Sequence, residues 1–305
     1  MLKIGSRGSQ LALWQANHIR KLLEHLGETC RIEIIRTTGD KITDVPLARV
    51  GTKGLFTKEI EEALADGRID LAVHSLKDLP TDLPRGLRLA AVPAREDPHD
   101  ALAGRRLTDL PQGAKVGTSS LRRVAQLRAV RPDLHVESVR GNLDTRLRKL
   151  DEGQYDAVVL AAAGLKRLGW ADRIAELLPF EVMCPAVGQG ALAIETRDDN
   201  GPATTACARL EDVDTRAAVT AERAVLAELG GGCQVPIGAH AETGCGELRL
   251  IAVVGTPDGT QIIRRELAGP VSEAARIGTA LGRELLASGA REILEMVYGF
   301  RDPGI

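Results

Sequence analysis

Lys115-Val-Gly-Thr-Ser-Ser-Leu-Arg-Arg-Val-Ala-Gln-Leu-Arg-Ala-Val130 is the stretch that decides the fold. A short β-prone run ends in a Gly-Thr-Ser-Ser turn and passes directly into an amphipathic helix over residues 121–130. Outward from it the alternation continues, with a strand predicted over 136–139, a helix over 143–150 and a strand over 157–161. Upstream, residues 2–6 read as a strand. Ser9 can cap a helix carried by Leu13, Ile19, Leu22 and Leu26 to a stop at Gly27. Residues 31–36 alternate like a strand, Phe56, Ile60 and Leu64 share one face of a helix over 57–65, and 70–74 is a further strand. Such alternation buries sheets between helices, so the fold class is α/β.

Two Pro- and Gly-punctuated crossings interrupt the series, Pro93-Ala-Arg-Glu-Asp-Pro98 and Pro185-Ala-Val-Gly-Gln-Gly190, the second leading into a strand over 191–196. Beyond a turn at 198–202 the pattern changes. A helix over 215–229 ends in three glycines, runs at 247–254 and 261–267 flank Pro257-Asp-Gly as a hairpin, and a final helix covers 272–286. The chain therefore reads as two α/β lobes, 1–93 with 190–208 and 97–186, followed by a smaller α+β domain over 212–305.

The 305 residues are 44% hydrophobic, enough for more than one core, but only 2% aromatic, so aliphatic side chains must fill the interiors. Few aromatics leave no base-stacking surface, and a formal net charge of −2 gives no global attraction to nucleic acid or an anionic membrane. No apolar run approaches the ~20 residues that span a bilayer, and no leader follows Met1. A cytoplasmic location is expected, with reduced thiols at the five cysteines, Cys30, Cys184, Cys207, Cys233 and Cys245. Without Cys-x-x-Cys or His-x-x-x-His spacing, no metal site is expected.

Charge placement points to a ligand. A helix N-terminus carries about half a positive charge, so a cation there costs roughly 0.3–1 kcal/mol. Yet Arg7 precedes the Ser9 start, Arg122 and Arg123 open the helix after Ser120, Arg140 precedes Gly141-Asn142, and Arg146 lies in the first turns that follow. An anion turns this conflict into a binding site of backbone N–H groups, hydroxyls and guanidinium forks. Pairing with local acids, or plain solvation, is the competing explanation. Gly-Thr-Ser-Ser lacks P-loop spacing, so a nucleotide is not expected.

Two further segments carry chemistry. In His74-Ser-Leu-Lys-Asp78 an extended chain would point Ser75 and Lys77 one way and His74, Leu76 and Asp78 the other. Asp78 could serve as an acid–base or stabilise a cation, although the motif alone favours a surface turn with a satisfied histidine. Leu229-Gly-Gly-Gly-Cys233 lets a bulky group approach the backbone, which makes Cys233 a candidate covalent attachment point. The other four cysteines read as small buried hydrophobes.

Seven blocks in order resemble the porphobilinogen deaminases, also called hydroxymethylbilane synthases. They are Arg7-Gly-Ser-Gln-Leu-Ala, Gly51-Thr-Lys-Gly-Leu-Phe56, His74-Ser-Leu-Lys-Asp78, Gly117-Thr-Ser-Ser-Leu-Arg-Arg123, Arg140-Gly-Asn-Leu-Asp-Thr-Arg146, Pro185-Ala-Val-Gly-Gln-Gly190 and Gly231-Gly-Cys-Gln-Val-Pro-Ile-Gly238. The resemblance implies two periplasmic-binding-protein-like lobes plus a smaller α+β C-terminal domain. It implies a dipyrromethane cofactor held by a thioether to Cys233, and a monomeric transferase of heme biosynthesis. Four porphobilinogen units would be added in turn with loss of ammonia, and water would release the linear tetrapyrrole. Asp78 would be the catalytic carboxylate, contacting pyrrole N–H groups, assisting loss of the amine and stabilising the azafulvenium cation. Arg7, Ser9, Lys53, Ser75, Lys77, Thr118, Ser120, Arg122, Arg123, Arg140, Arg146, Arg167 and Gln189 would hold cofactor or substrate. Phe56 would belong to a loop over the crevice, as would Arg49, which stands where many members carry lysine. A non-catalytic two-lobed anion-binding protein is the alternative; it gives Asp78 and Cys233 no task.

Overall fold

The computed structural model describes residues 1–38, 57–230 and 235–299. The strands follow in chain order as β1 (Leu2–Ser6), β2 (Cys30–Ile34), β3 (Leu71–Ser75), β4 (Leu87–Ala91), β5 (Asp100–Gly104), β6 (Lys115–Gly117) and β7 (His135–Glu137). They continue as β8 (Ala157–Ala161), β9 (Glu176–Leu178), β10 (Leu192–Arg197), β11 (Ile237–Gly244), β12 (Glu247–Gly255) and β13 (Ile262–Pro270). The chain divides into two compact units, Met1–Glu96 with Gly190–Arg216, and Asp97–Gln189 with Ala217–Ile305.

The first unit holds a five-stranded sheet in the order β2-β1-β3-β10-β4. β1 pairs in parallel with β2 and β3, and β10 runs antiparallel between β3 and β4. One face buries Ile4, Leu71, Val73 and Ile194 against Ile19 and Leu23 of the helix Gln10–His25. Ser9 caps that helix as predicted, its Oγ accepting from the Ala12 N–H at 3.3 Å. On the other face Ile60, Ala63 and Leu64 of the helix Lys58–Ala65 pack on Ile69 and Ala72. A Cβ on Gly5 would lie 2.3 Å from Ile69 Cδ1, so that side chain would have to shift to admit it.

The second unit holds a five-stranded sheet in the order β7-β6-β8-β5-β9 and a three-stranded sheet in the order β11-β12-β13. In the former, β6 pairs in parallel with β7 and β8, while β5 runs antiparallel between β8 and β9. In each five-stranded sheet three parallel strands stand in the relative order second, first, third, followed by one antiparallel strand (β10 or β5) and then an edge strand (β4 or β9). The three-stranded sheet is antiparallel and buries Leu248, Leu250, Ala252 and Val254 with Val225 of the helix Val213–Glu228 and Leu281 of the helix Ala274–Leu285. Those two helices touch closely at Gly278, where a Cβ would stand 2.2 Å from the Ala221 carbonyl oxygen. The fold is thus α/β of the expected type, with an α+β C-terminal region.

Several elements go beyond the sequence reading. β4, β5, β9 and β11 are strands, and Ala162–Arg167, Pro202–Ala208 and Arg291–Gly299 are helices, the last lying after the helix read as final. β5 shows why. Ala101 and Ala103 enter one core and Leu102 another, so both faces are apolar and the period-two signal vanishes.

Candidate active site

In the second unit the carboxyl ends of parallel β6, β7 and β8 lie at one sheet edge, where α/β folds place ligands. The polar residues singled out from the sequence follow those ends. Thr118 and Ser120 leave β6, and Arg122 and Arg123 open the helix Leu121–Val130. Arg140 follows β7, with Arg146 in the helix Leu143–Asp151, and Arg167 closes the helix that leaves β8. Antiparallel β5 begins at this same edge, with Asp100 registered opposite Ala161.

Asp100, which the sequence reading missed, is the centre of the arrangement. Arg122 Nη1 donates to its Oδ2 at 2.6 Å, and Arg123 Nε donates to its Oδ1 at 2.8 Å. Gln189 Nε2 adds a bond to Oδ1 at 3.1 Å and another to the Pro98 carbonyl at 2.7 Å. The arginines also donate to backbone, Arg122 to the Cys184 carbonyl at 2.7 Å and Arg123 to the Val159 carbonyl at 2.8 Å. Arg122 and Arg123 are only 4% and 6% exposed, and Asp100 is wholly buried. Burial alone would push the Asp100 carboxyl up, but the charges of Arg122 and Arg123 outweigh it and hold it at about 2. Burial pushes the Arg123 guanidinium down; Asp100 opposes this and Arg122 adds to it.

The arginines do pair with a local acid, then, but two cations share one anion. A buried excess of one positive charge is costly unless something offsets it. An anion at the edge would do so. Ser120 and Asn142 stand at the N-cap positions of the helices Leu121–Val130 and Leu143–Asp151 without a side-chain capping bond. The loops are tied together: Ser119 Oγ donates to the Val139 carbonyl at 2.7 Å, so the 2.8 Å contact between the Ser119 and Ser138 hydroxyls uses the Ser138 proton. Arg146 Nε donates to the Gly141 carbonyl at 2.9 Å.

In the first unit Arg7 follows β1 and Ser75 ends β3, again at carboxyl ends of parallel strands. Gln15 Nε2 donates to Ser75 Oγ at 2.8 Å. The chain does not stay extended after Ser75. It enters a 3-10 turn, Leu76–Asp78, fixed by Leu76 N–H to the Ala191 carbonyl at 3.0 Å and Leu79 N–H to the Leu76 carbonyl at 3.1 Å. His74 and Leu76 are therefore buried, Lys77 is half-buried and Asp78 is exposed. His74 and Asp78 do not share a face; the turn separates them.

Arg49, Lys53, Phe56 and Cys233 lie outside the described residues. Among the described thiols, burial pushes Cys184 and Cys207 up to about 12, and burial followed by Glu24 and Glu28 raises Cys30. Cys245 is exposed. Paired guanidiniums, hydroxyls and uncapped helix starts make a donor set for carboxylates, so the residues present fit an acid-bearing group such as a substituted dipyrromethane.

Residues 2–205 match the family described as porphobilinogen deaminase, dipyromethane cofactor binding domain, and residues 216–287 match the porphobilinogen deaminase C-terminal domain. A porphobilinogen deaminase of Syntrophobacter fumaroxidans is 52% identical over 303 residues, 98% of either chain. One from Pelobacter propionicus is 53% identical over 301 residues, 97% of either chain. Among solved structures, an ABC-transporter periplasmic substrate-binding protein from Coxiella burnetii is 15% identical, covering 69% of this chain and 91% of its own with a TM-score of 0.42. With both domain families matched in order and relatives aligned almost end to end, this chain belongs to the porphobilinogen deaminase family.

Proposed function

We propose that the protein joins four porphobilinogen molecules stepwise, each with loss of ammonia, on a dipyrromethane primer attached to Cys233, and releases the linear tetrapyrrole hydroxymethylbilane by hydrolysis. The observation that carries this reading is the buried pair Arg122 and Arg123 sharing the single carboxylate of Asp100. Every pyrrole unit brings an acetate and a propionate, the anions this centre lacks. The dipyrromethane, when bound, supplies the nucleophilic pyrrole carbon at which growth starts.

The chain's own residues do the rest. Asp78, exposed at the end of its turn, accepts from pyrrole N–H groups, holds a proton at the departing amine and offsets the cation left when the C–N bond breaks. Arg7, Ser75, Lys77, Thr118, Ser120, Arg140, Arg146, Arg167, Gln189 and Lys53 bind carboxylates and orient the rings. Ser9 accepts from Ala12 N–H and keeps its own proton to donate. Arg49 and Phe56 cover the reacting groups. Cys233 is favoured as the anchor because it follows three glycines that let a bulky group approach, in a block that resembles the family's. The lobes are 1–93 with 190–208 and 97–186, and 212–305 carries the anchor. The protein works as a cytoplasmic monomer on a small molecule, without nucleic acid or membrane; no described helix is long and apolar enough to cross one.

Intact mass of the purified protein tests the reading. A dipyrromethane increment that maps to the Cys233 peptide, and ammonia release with porphobilinogen, are the expected results. An unmodified chain that stays unmodified and inert with porphobilinogen would leave the anion-binding alternative in place.

A further inference from the structure

Behind the Asp78 turn lies a buried polar cluster with no task in the chemistry above. His74 of β3 is 6% exposed and Glu195 of β10 is wholly buried, and His74 Nε2 lies 3.0 Å from Glu195 Oε2. The other carboxylate oxygen, Glu195 Oε1, is buried without a hydrogen-bond partner. Glu61, on the helix Lys58–Ala65 that covers this face, also buries an Oε1 with no well-aligned bond. Burial pushes the Glu61 carboxyl up, with Thr57 opposing and Glu195 adding to the rise. Apolar side chains of similar size would usually stabilise such a place at least as well. A buried polar network instead fixes one geometry.

The geometry it fixes is the end of β3. In the strand register His74 faces Ala193 and Ser75 faces Leu192, while Glu195 faces Ala72. The His74–Glu195 bond therefore runs diagonally across the β3–β10 pair, one residue before Ser75 leaves the strand. Just beyond it, Leu76 N–H meets the Ala191 carbonyl and the 3-10 turn begins. A slip or fraying of this pair would move the start of the turn, and with it the direction of Asp78. We infer that His74 is a positioning residue for Asp78: its bond to Glu195 clamps β3 to β10 so that the chain turns after Ser75 and presents Asp78 outward. The inference rests on the deaminase reading, with Asp78 as the reacting carboxylate.

The test uses holoenzyme variants, with kcat scaled to bound cofactor so that loss of folded or loaded protein does not register. His74→Phe keeps ring volume but loses the donor; it is expected to lower kcat at least tenfold while KM rises less, because most of the carboxylate-binding residues proposed above lie outside this turn. His74→Gln, whose amide can donate to Glu195, should recover much of the loss. Wild-type kcat in His74→Phe, or a loss that His74→Gln does not recover, would overturn the inference. If His74→Phe yields no folded holoenzyme, Glu195→Met removes the acceptor at similar volume and should reproduce the kcat loss; unchanged kcat there overturns it as well. Asp78→Asn is the control. Full activity in that variant would sink the role given to Asp78 itself, whereas an inactive Asp78→Asn beside a fully active His74→Phe sinks only the clamp.

Discussion

Two guanidiniums meet one carboxylate at Asp100, and the acid behaves differently from an ordinary surface aspartate. Asp100→Asn leaves two buried arginines without a counter-charge and should cost about 3–5 kcal/mol in urea unfolding at neutral pH. The pH dependence has a defined sign. Because the folded carboxyl is held near 2, its contribution is fully present above the ordinary carboxylate range and is lost as pH falls toward about 2. The gap between wild type and Asp100→Asn should therefore narrow in acid. A gap that stays constant from neutral pH down to acid would contradict the ion-pair account. Asp78→Asn should reduce turnover on the order of a hundredfold or more while leaving the dipyrromethane mass increment in place. The arginines were legible in the sequence because cations at helix starts are energetically misplaced. Asp100 was not, since an acid two residues after Pro98 reads as part of a polar crossing.

At the scale of elements, the loop before the helix Leu143–Asp151 is held by a glycine. Gly141 has φ 107°, and a Cβ on it would meet Thr145 Cβ at 2.6 Å. Its carbonyl also receives Arg146 Nε. Gly141→Ala should cost about 1–3 kcal/mol of backbone strain, lower the melting temperature, and raise KM for porphobilinogen. An unchanged KM would separate this loop from substrate binding. Strands read from the sequence were those with an apolar run bounded by a turn, such as β1, β6 and β8. Those hidden from it were flanked by prolines or glycines, or covered on both faces. The Asp78 turn was hidden for another reason. Whether a strand stops at Ser75 depends on a bond that Leu76 N–H donates to the Ala191 carbonyl, over a hundred residues later in the chain, and no local pattern encodes it.

For the whole molecule, thiol chemistry gives a map independent of turnover. Under native conditions alkylation should label exposed Cys245 first, while Cys184 and Cys207 react only on unfolding. Rapid native labelling of Cys184 would contradict the packing of the second unit. The sheet order carries a further consequence, for biosynthesis. β10 occupies the slot between β3 and β4, so a ribosome has delivered both neighbours long before residue 192 emerges to join them. β5, the matching insert of the other five-stranded sheet, is translated before either of its partners. The later-made sheet can thus zip up first, while the earlier one waits with two unzipped rims for returning chain. A nascent polypeptide stalled ahead of Gly190 would display those rims to its neighbours, which makes that interval the period of greatest need for a chaperone.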